Sequence, residues 1–199
     1  MIYFTSDLHL GHNNILKLCS RPFSTIEEMD EYIISAWNKK VKKGDKVYIV
    51  GDFIWEKEPE PQRFLSRLNG TKILVLGNHD SKWLNKIDNK EEYNLIIADK
   101  IVEICHEQKV ITLSHYPMLE WKNSRKVGSK KLGYLLHGHI HNNVREEYFV
   151  LFKKENALNV GVDINNFEPV TLQELMQNNI NFKKVEVLER TINKLNKKY

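Results

Sequence analysis

Five short apolar segments of this sequence each run directly into side chains that bind metal ions. Residues 2–5 lead to Asp7 and His9, residues 46–50 to Asp52, and residues 72–76 to Asn78, His79 and Asp80. Residues 110–113 lead to His115, and residues 134–136 to His139 and His141. The runs are rich in Ile, Val, Leu and Tyr, as buried strands are. Ligand sites in α/β sheets collect beyond the carboxyl ends of the strands, so the five clusters are expected to meet in one cleft. A strand histidine taken alone is more often structural, and it is the recurrence at five strand ends that reverses this. Carboxylate, imidazole and amide oxygen without thiolate suit Mn, Fe, Zn or Ni better than a cysteine-rich centre. Asp7, His9, Asp52, Asn78, His115, His139 and His141 are too many ligands for one small ion. If Asp52 bridges, they provide roughly four bonds to each of two ions, with room left for water or substrate. Two aspartates against two divalent cations leave a net charge of about +2, which a phosphate ester would answer.

The pattern D-x-H at Asp7 and His9, G-D at Asp52, G-N-H-D at Gly77 to Asp80, a lone His115, and G-H-x-H at Gly138 to His141 resembles the calcineurin-like metallophosphoesterases. The resemblance covers roughly residues 1–169, and the opening segment from Ser6 to Ile15 is similar to the small bacterial and phage members without a cap domain. It implies a four-layer α/β/β/α sandwich of two mixed sheets flanked by helices. It also implies one ion, Mn2+ before Fe, Zn or Ni, on Asp7, His9, Asp52 and His141, and a second on Asp52, Asn78, His115 and His139. The implied activity is in-line hydrolysis of a phosphoester by a metal-activated water. His79 would protonate the leaving group, with Asp80 holding its ring. One position departs from the pattern. The second motif often carries an Asp or Arg three residues after its Asp, and here that residue is Trp55, so no phosphate-binding arginine carries over from that loop.

Other side chains are candidates of a weaker kind. His12 is placed to line the cleft or simply to start a helix, and Arg21 and Arg125 have the fork geometry that grips phosphate, as any surface arginine has. Residues 121–145 hold Lys122, Arg125, Lys126, Lys130, Lys131 and Arg145 and no acid, with Gly128, Ser129 and Gly133 among them. The stretch reads as a loop that faces either substrate or solvent. Trp121 and Tyr116 read as core aromatics before base-stacking ones, and His106 and His137 as structural.

The remaining sequence supplies the elements that must hold these residues. Thr25 and Glu28 form a capping box ahead of a helix over 26–41, with Met29, Ile33, Ala36 and Trp37 on one face. Pro59 or Pro61 starts a second helix, with Phe64, Leu65 and Leu68 inward and Gly70 at its end. Further strands are expected at 101–105, 148–152 and 158–162, and helices at 172–178 and 185–197. No repeat or linker divides the 199 residues, so a single domain is expected. The charge of +4 is concentrated in residues 183–199, which carry six bases and two acids and read as a basic helical tail. A neutral body makes nucleic acid a disfavoured partner. No apolar run spans a bilayer, the first residues read as a strand, and Cys19 and Cys105 make no disulfide framework. A cytoplasmic protein without membrane association follows as the expectation. Small phosphodiesters or nucleotides rank first as substrates, then phosphomonoesters, then nucleic acid. A binding scaffold of the same fold is the alternative, and the retained His79 argues against it.

Overall fold

The computed structural model describes residues 1–125, 131–143 and 145–196. In chain order its elements are β1 (Ile2–Thr5), α1 (Ile15–Leu18), α2 (Ile26–Lys40), β2 (Lys46–Val50), α3 (Gln62–Leu65), β3 (Thr71–Val75), α4 (Asp80–Leu84), β4 (Leu95–Ala98), β5 (Ile101–His106), β6 (Lys109–Ser114), β7 (Tyr134–His137), α5 (Phe149–Phe152), β8 (Ala157–Asn159) and α6 (Leu172–Asn196). Short 3-10 turns cover Glu91–Tyr93, Glu146–Tyr148 and Val162–Ile164.

The first sheet has the order β1-β2-β3-β4 and is parallel throughout. Right-handed crossovers that always advance in one direction place their connections on one face of a sheet. Accordingly Tyr3, Val47, Ile49 and Leu74 pack against Met29, Ile33 and Trp37 of α2. The alternate residues Phe4, Val50 and Val75 point the other way, where they meet Ile111, Leu113, Leu136 and Leu158 of the second sheet. That sheet has the order β5-β6-β7-β8, with only the β5/β6 pair antiparallel. On its outer face Leu135 and Ala157 pack with Trp121 and Leu151. The result is the expected α/β/β/α sandwich, with the mixed character confined to the second sheet.

The two sheets are joined along β1. Ser6 donates its N–H to Val160, Val162 donates to Ser6, and Phe4 and Val170 exchange both backbone bonds. The parallel strands therefore end on one rim, and the join brings the D-x-H loop beside the G-H-x-H loop. The capping residue Thr25 accepts the Glu28 N–H at 3.2 Å, as the sequence predicts.

Several expected elements differ. Residues 148–152 are not a strand: Glu146–Tyr148 is a 3-10 turn that continues into α5, because four consecutive apolar residues fit either period and only Leu151 is buried. The second helix stops at Leu65, and Gly70 precedes β3 rather than ending α3. The strand expected over 158–162 closes at Asn159 and turns at Gly161. β4 is a strand that the apolar pattern did not suggest. The two expected C-terminal helices are one, α6, which passes through an Asn-rich stretch because Asn179 has tertiary partners: it accepts the Asn159 N–H and donates to the Asn159 carbonyl. Lys126, Gly128, Ser129, Lys130, Lys197 and Lys198 lie outside the described residues.

Candidate metal centre

Strand β1 delivers Asp7 and His9, β2 delivers Asp52, β3 delivers Asn78, β6 ends before His115, and β7 ends before His139 and His141. All seven side chains meet at the rim. Asp7, His9 and His141 have donor atoms within 4.8 Å of one another, and so do Asp7, Asp52 and His115. Asp52 Oδ2 lies 3.6 Å from His9 Nε2 and 3.4 Å from His115 Nε2, between the two groups. His115 Nε2 is 3.0 Å from Asn78 Oδ1, and the His139 ring stands edge-on to His115.

The backbone shows how unusual the arrangement is. Asp7, His9, Asp52, His139 and His141, five of the seven, have φ between 50° and 70°, in the left-handed region that residues with a side chain rarely adopt. Each such residue costs about 1 kcal/mol or more and persists only where its surroundings over-determine it, typically at functional sites. The motif glycines permit the crowding. A Cβ on Gly77 would overlap Asp52 Oδ1, and one on Gly138 would overlap Asp7 Oδ2.

The donor set fits divalent cations. Both ring nitrogens of buried His9 have no hydrogen-bond partner, which is costly unless something else binds there. His115 donates from Nδ1 to the Val50 carbonyl at 2.9 Å, which leaves Nε2 as the donor atom facing Asp52. Burial disfavours the His115 imidazolium, but Asp52, Asp7 and the Val50 carbonyl outweigh it and push its pKa up to about 9. At His141 burial is likewise outweighed, chiefly by Asp163, Cys19 and Asp7, and the pKa rises to about 11. These two protons occupy ring positions that cations would take, since binding a metal displaces the proton from its ligand. Burial lowers His9 well below the usual histidine range, so it presents a free imidazole.

Two assignments made from the sequence are corrected. Asp80 does not hold the His79 ring. Its carboxylate accepts four bonds, from the N–H groups of Gly77 (2.7 Å), Asp52 (2.9 Å) and Phe53 (3.0 Å) and from Trp83 Nε1 (2.9 Å). The acid near His79 is Glu56, with Oε2 at 3.9 Å from Nδ1. Arg21 does not face the cleft as a phosphate clamp. It is buried, with its guanidinium donating to Asp163 and to the carbonyls of Asp7 and Leu8. Arg125 is exposed, pairs with Glu120 and is not among the described residues that line the cleft.

The cleft has a volume of about 470 Å³ and opens over His9, Asp52, Asn78, His79, His139 and His141. His12 does line it. Its ring stacks on Trp55 with centroids 3.6 Å apart, its Nδ1 has no partner, and burial lowers its pKa to about 4. Trp55, the departure from the motif, thus backs His12 and packs 5.2 Å from the His79 ring. Trp121 is core, as expected, with Nε1 donating to the Gly133 carbonyl, whereas Tyr116 is half exposed and lies against His139. His137 is fully buried and structural, and His106 lies beside Glu107. A residue at the candidate site that the sequence reading missed is Asp163, which accepts from His141 Nδ1 at 2.8 Å. The rule that picked out the candidate ligands would have picked it out, because Asp163 follows the strand expected at 158–162.

The family model for calcineurin-like phosphoesterases matches residues 1–143. The chain is 34% identical over 178 residues to the uncharacterised protein MJ1445 of Methanocaldococcus jannaschii, an alignment covering 88% of this chain and 89% of that one. It is 36% identical over 81 residues to the Gene 66 protein of Mycobacterium phage L5, covering 39% of each. A crystal structure of the Aquifex aeolicus protein AQ665, of unknown function, superposes with a TM-score of 0.67 at 28% identity, covering 89% of this chain and 98% of the other. The protein belongs to the calcineurin-like phosphoesterase family, a class of metal-dependent phosphoester hydrolases. Among the described residues no helix is long and apolar enough to cross a membrane.

Proposed function

We propose that the protein hydrolyses small phosphodiesters with a pair of divalent ions, Mn2+ in first place. Asp7, His9, Asp52 and His141 would hold one ion, and Asp52, Asn78, His115 and His139 the other. The observation that carries this reading is the position of Asp52 Oδ2, within 3.6 Å of a nitrogen from each ligand group. When bound, the ions supply a water activated near neutral pH and positive charge for the phosphoryl oxygens.

The chain's own residues account for the rest. His79 sits at the N-cap of α4 beside the cleft and outside both ligand groups, so it is free to give a proton to the departing oxygen. Glu56, not Asp80, is the carboxylate that can orient it. Asp80 ties the G-D loop to the G-N-H-D loop and so keeps Asp52 and Asn78 in register. His12, neutral and backed by Trp55, presents a polar edge to the substrate.

We rank a diester before a monoester because a dianionic monoester calls for more cationic grip than Arg145, the one arginine among the described lining residues, supplies while Arg21 and Arg125 are committed elsewhere. The test is turnover of bis-(4-nitrophenyl) phosphate and 4-nitrophenyl phosphate with added Mn2+. The diester should be cleaved faster, and each rate should vanish on chelation. Folded, Mn2+-loaded protein that cleaves neither ester, nor cyclic nucleotides, would overturn the reading and leave a binding scaffold.

A further inference from the structure

His141 has its two ring nitrogens in different hands. Nε2 lies 3.8 Å from Asp7 Oδ1, in the group with His9, while Nδ1 is 2.8 Å from Asp163 Oδ2. Asp163 is held in turn by Arg21, whose Nε and Nη2 reach its two oxygens at 2.8 and 3.0 Å. The same guanidinium donates to the carbonyl of Asp7 at 2.6 Å and to that of Leu8 at 2.9 Å. The Arg21 and Asp163 side chains are 0% and 2% exposed. One buried cation therefore joins the backbone of the D-x-H loop to the carboxylate that orients the last histidine of the G-H-x-H loop.

Stability alone explains this pair poorly. Desolvating an arginine and an aspartate offsets most of their attraction, and well-packed apolar residues of the same volume hold a core about as well. What an apolar pair lacks is a carboxylate to accept Nδ1–H and donors to catch the carbonyls of Asp7 and Leu8, the latter in a loop whose Asp7 and His9 both have positive φ. A histidine ligand commonly gives its second nitrogen to a carboxylate, which fixes the ring and raises its basicity. We propose that Arg21 and Asp163 are positioning residues for one of the two ion sites. They aim Nε2 of His141 at the site shared with Asp7 and His9, and they hold the loop that carries those two ligands in register with it. Cys19, whose sulfur lies near His141 and Asp163, adds no third site, because the Asp163 carboxylate is already taken by Arg21 and His141.

This inference rests on the binuclear reading above. Its test is Mn2+ titration of metal-free full-length protein, followed by electron paramagnetic resonance, for the wild type, Asp163→Asn and Arg21→Lys. Asparagine keeps the shape and one acceptor, and lysine keeps the charge but loses the fork, so either folded variant decides the matter. The expected result is one site weakened about 10- to 100-fold and the other within about threefold. The coupled spectrum of the ion pair should give way to that of an isolated Mn2+ at concentrations that fill both wild-type sites. A purely structural role would shift the melting temperature and leave this site-selective split absent. Wild-type protein that takes up no Mn2+ would overturn both the functional reading and this inference. Wild-type protein with two ions, and folded variants that match it at both sites, would overturn the inference alone.

Discussion

The Asp80 carboxylate accepts the backbone N–H of Asp52 at 2.9 Å, across 28 positions of sequence, and three further donors complete its shell. It is therefore a clamp between two metal-motif loops. Asp80→Ala would strand three buried donors and the part-buried Gly77 N–H, and a loss on the order of 3–5 kcal/mol is expected. Chemical denaturation should show this in metal-free protein, before any question of catalysis. If the variant keeps wild-type stability and loses only turnover, Asp80 acts on the chemistry after all.

Asp30 makes stability depend on pH. Burial, the dominant influence, raises its pKa to about 7 against the pull of the Gly11 N–H, which its oxygens accept at 3.1 and 3.2 Å. An unfolded aspartate titrates near ~4. Between about pH 4 and pH 7 the folded chain therefore binds a proton that the unfolded chain has released, and Asp30's contribution falls as pH rises, with the full penalty above pH 7. Asp30→Asn retains an acceptor and does not titrate. Its melting temperature relative to wild type should rise from pH 5 to pH 8, by the equivalent of about 2 kcal/mol. A difference that stays flat across that range would show that Asp30 titrates normally.

Lys183, read from the sequence as part of a basic helical tail, donates to the carbonyls of Lys154 and Ala157 at 2.8 and 2.7 Å. It anchors α6 to the end of α5 and the start of β8. Lys183→Met should cost about 1–3 kcal/mol, because the Ala157 carbonyl loses this donor and the Lys154 carbonyl keeps only a long 3.4 Å bond from the Ala157 N–H. Turnover per folded molecule should stay within a few-fold. Truncation from residue 185 should be tolerated better than truncation from residue 183, as thermal melts of the two would reveal.

What could be read in advance followed from residue type and strand-end position. The seven candidate ligands were legible because carboxylate, imidazole and amide side chains recur at five strand ends, although any one of them alone reads as structural. Partnership was not legible. Asp80 follows His79 in sequence, but at the first turn of α4 its side chain turns back toward Gly77 and Asp52. Arg21 has the chemistry of a phosphate clamp, and only burial beside Asp163 assigns it elsewhere. The strand expected over 148–152 failed for a different reason, since four apolar residues in a row carry no period. The left-handed backbone of Asp7, His9, Asp52, His139 and His141 was not legible, because Asp and His enter that region more often than other residues with a side chain and yet do so in only a small minority of positions.

His79 lies between Asn78 and Asp80 yet belongs to neither ligand group, and its Nδ1 is without a hydrogen-bond partner. Loss of the ring should therefore spare the metals. His79→Ala is expected to keep wild-type metal content while kcat on an alkyl diester falls about 10²- to 10⁴-fold, the range for a positioned general acid. His139→Ala, by contrast, should lose metal. The leaving group sharpens the distinction, because an alkoxide needs a proton as it departs and a nitrophenolate, already a stable anion, hardly does. The defect of His79→Ala should shrink on nitrophenyl esters. Glu56→Gln should show the same dependence on leaving group with a smaller amplitude, since its carboxylate is 3.9 Å from Nδ1 and also binds Lys82. Equal defects of His79→Ala on alkyl and nitrophenyl diesters, where chemistry limits the rate, would remove proton donation from His79 and leave it to position the phosphate.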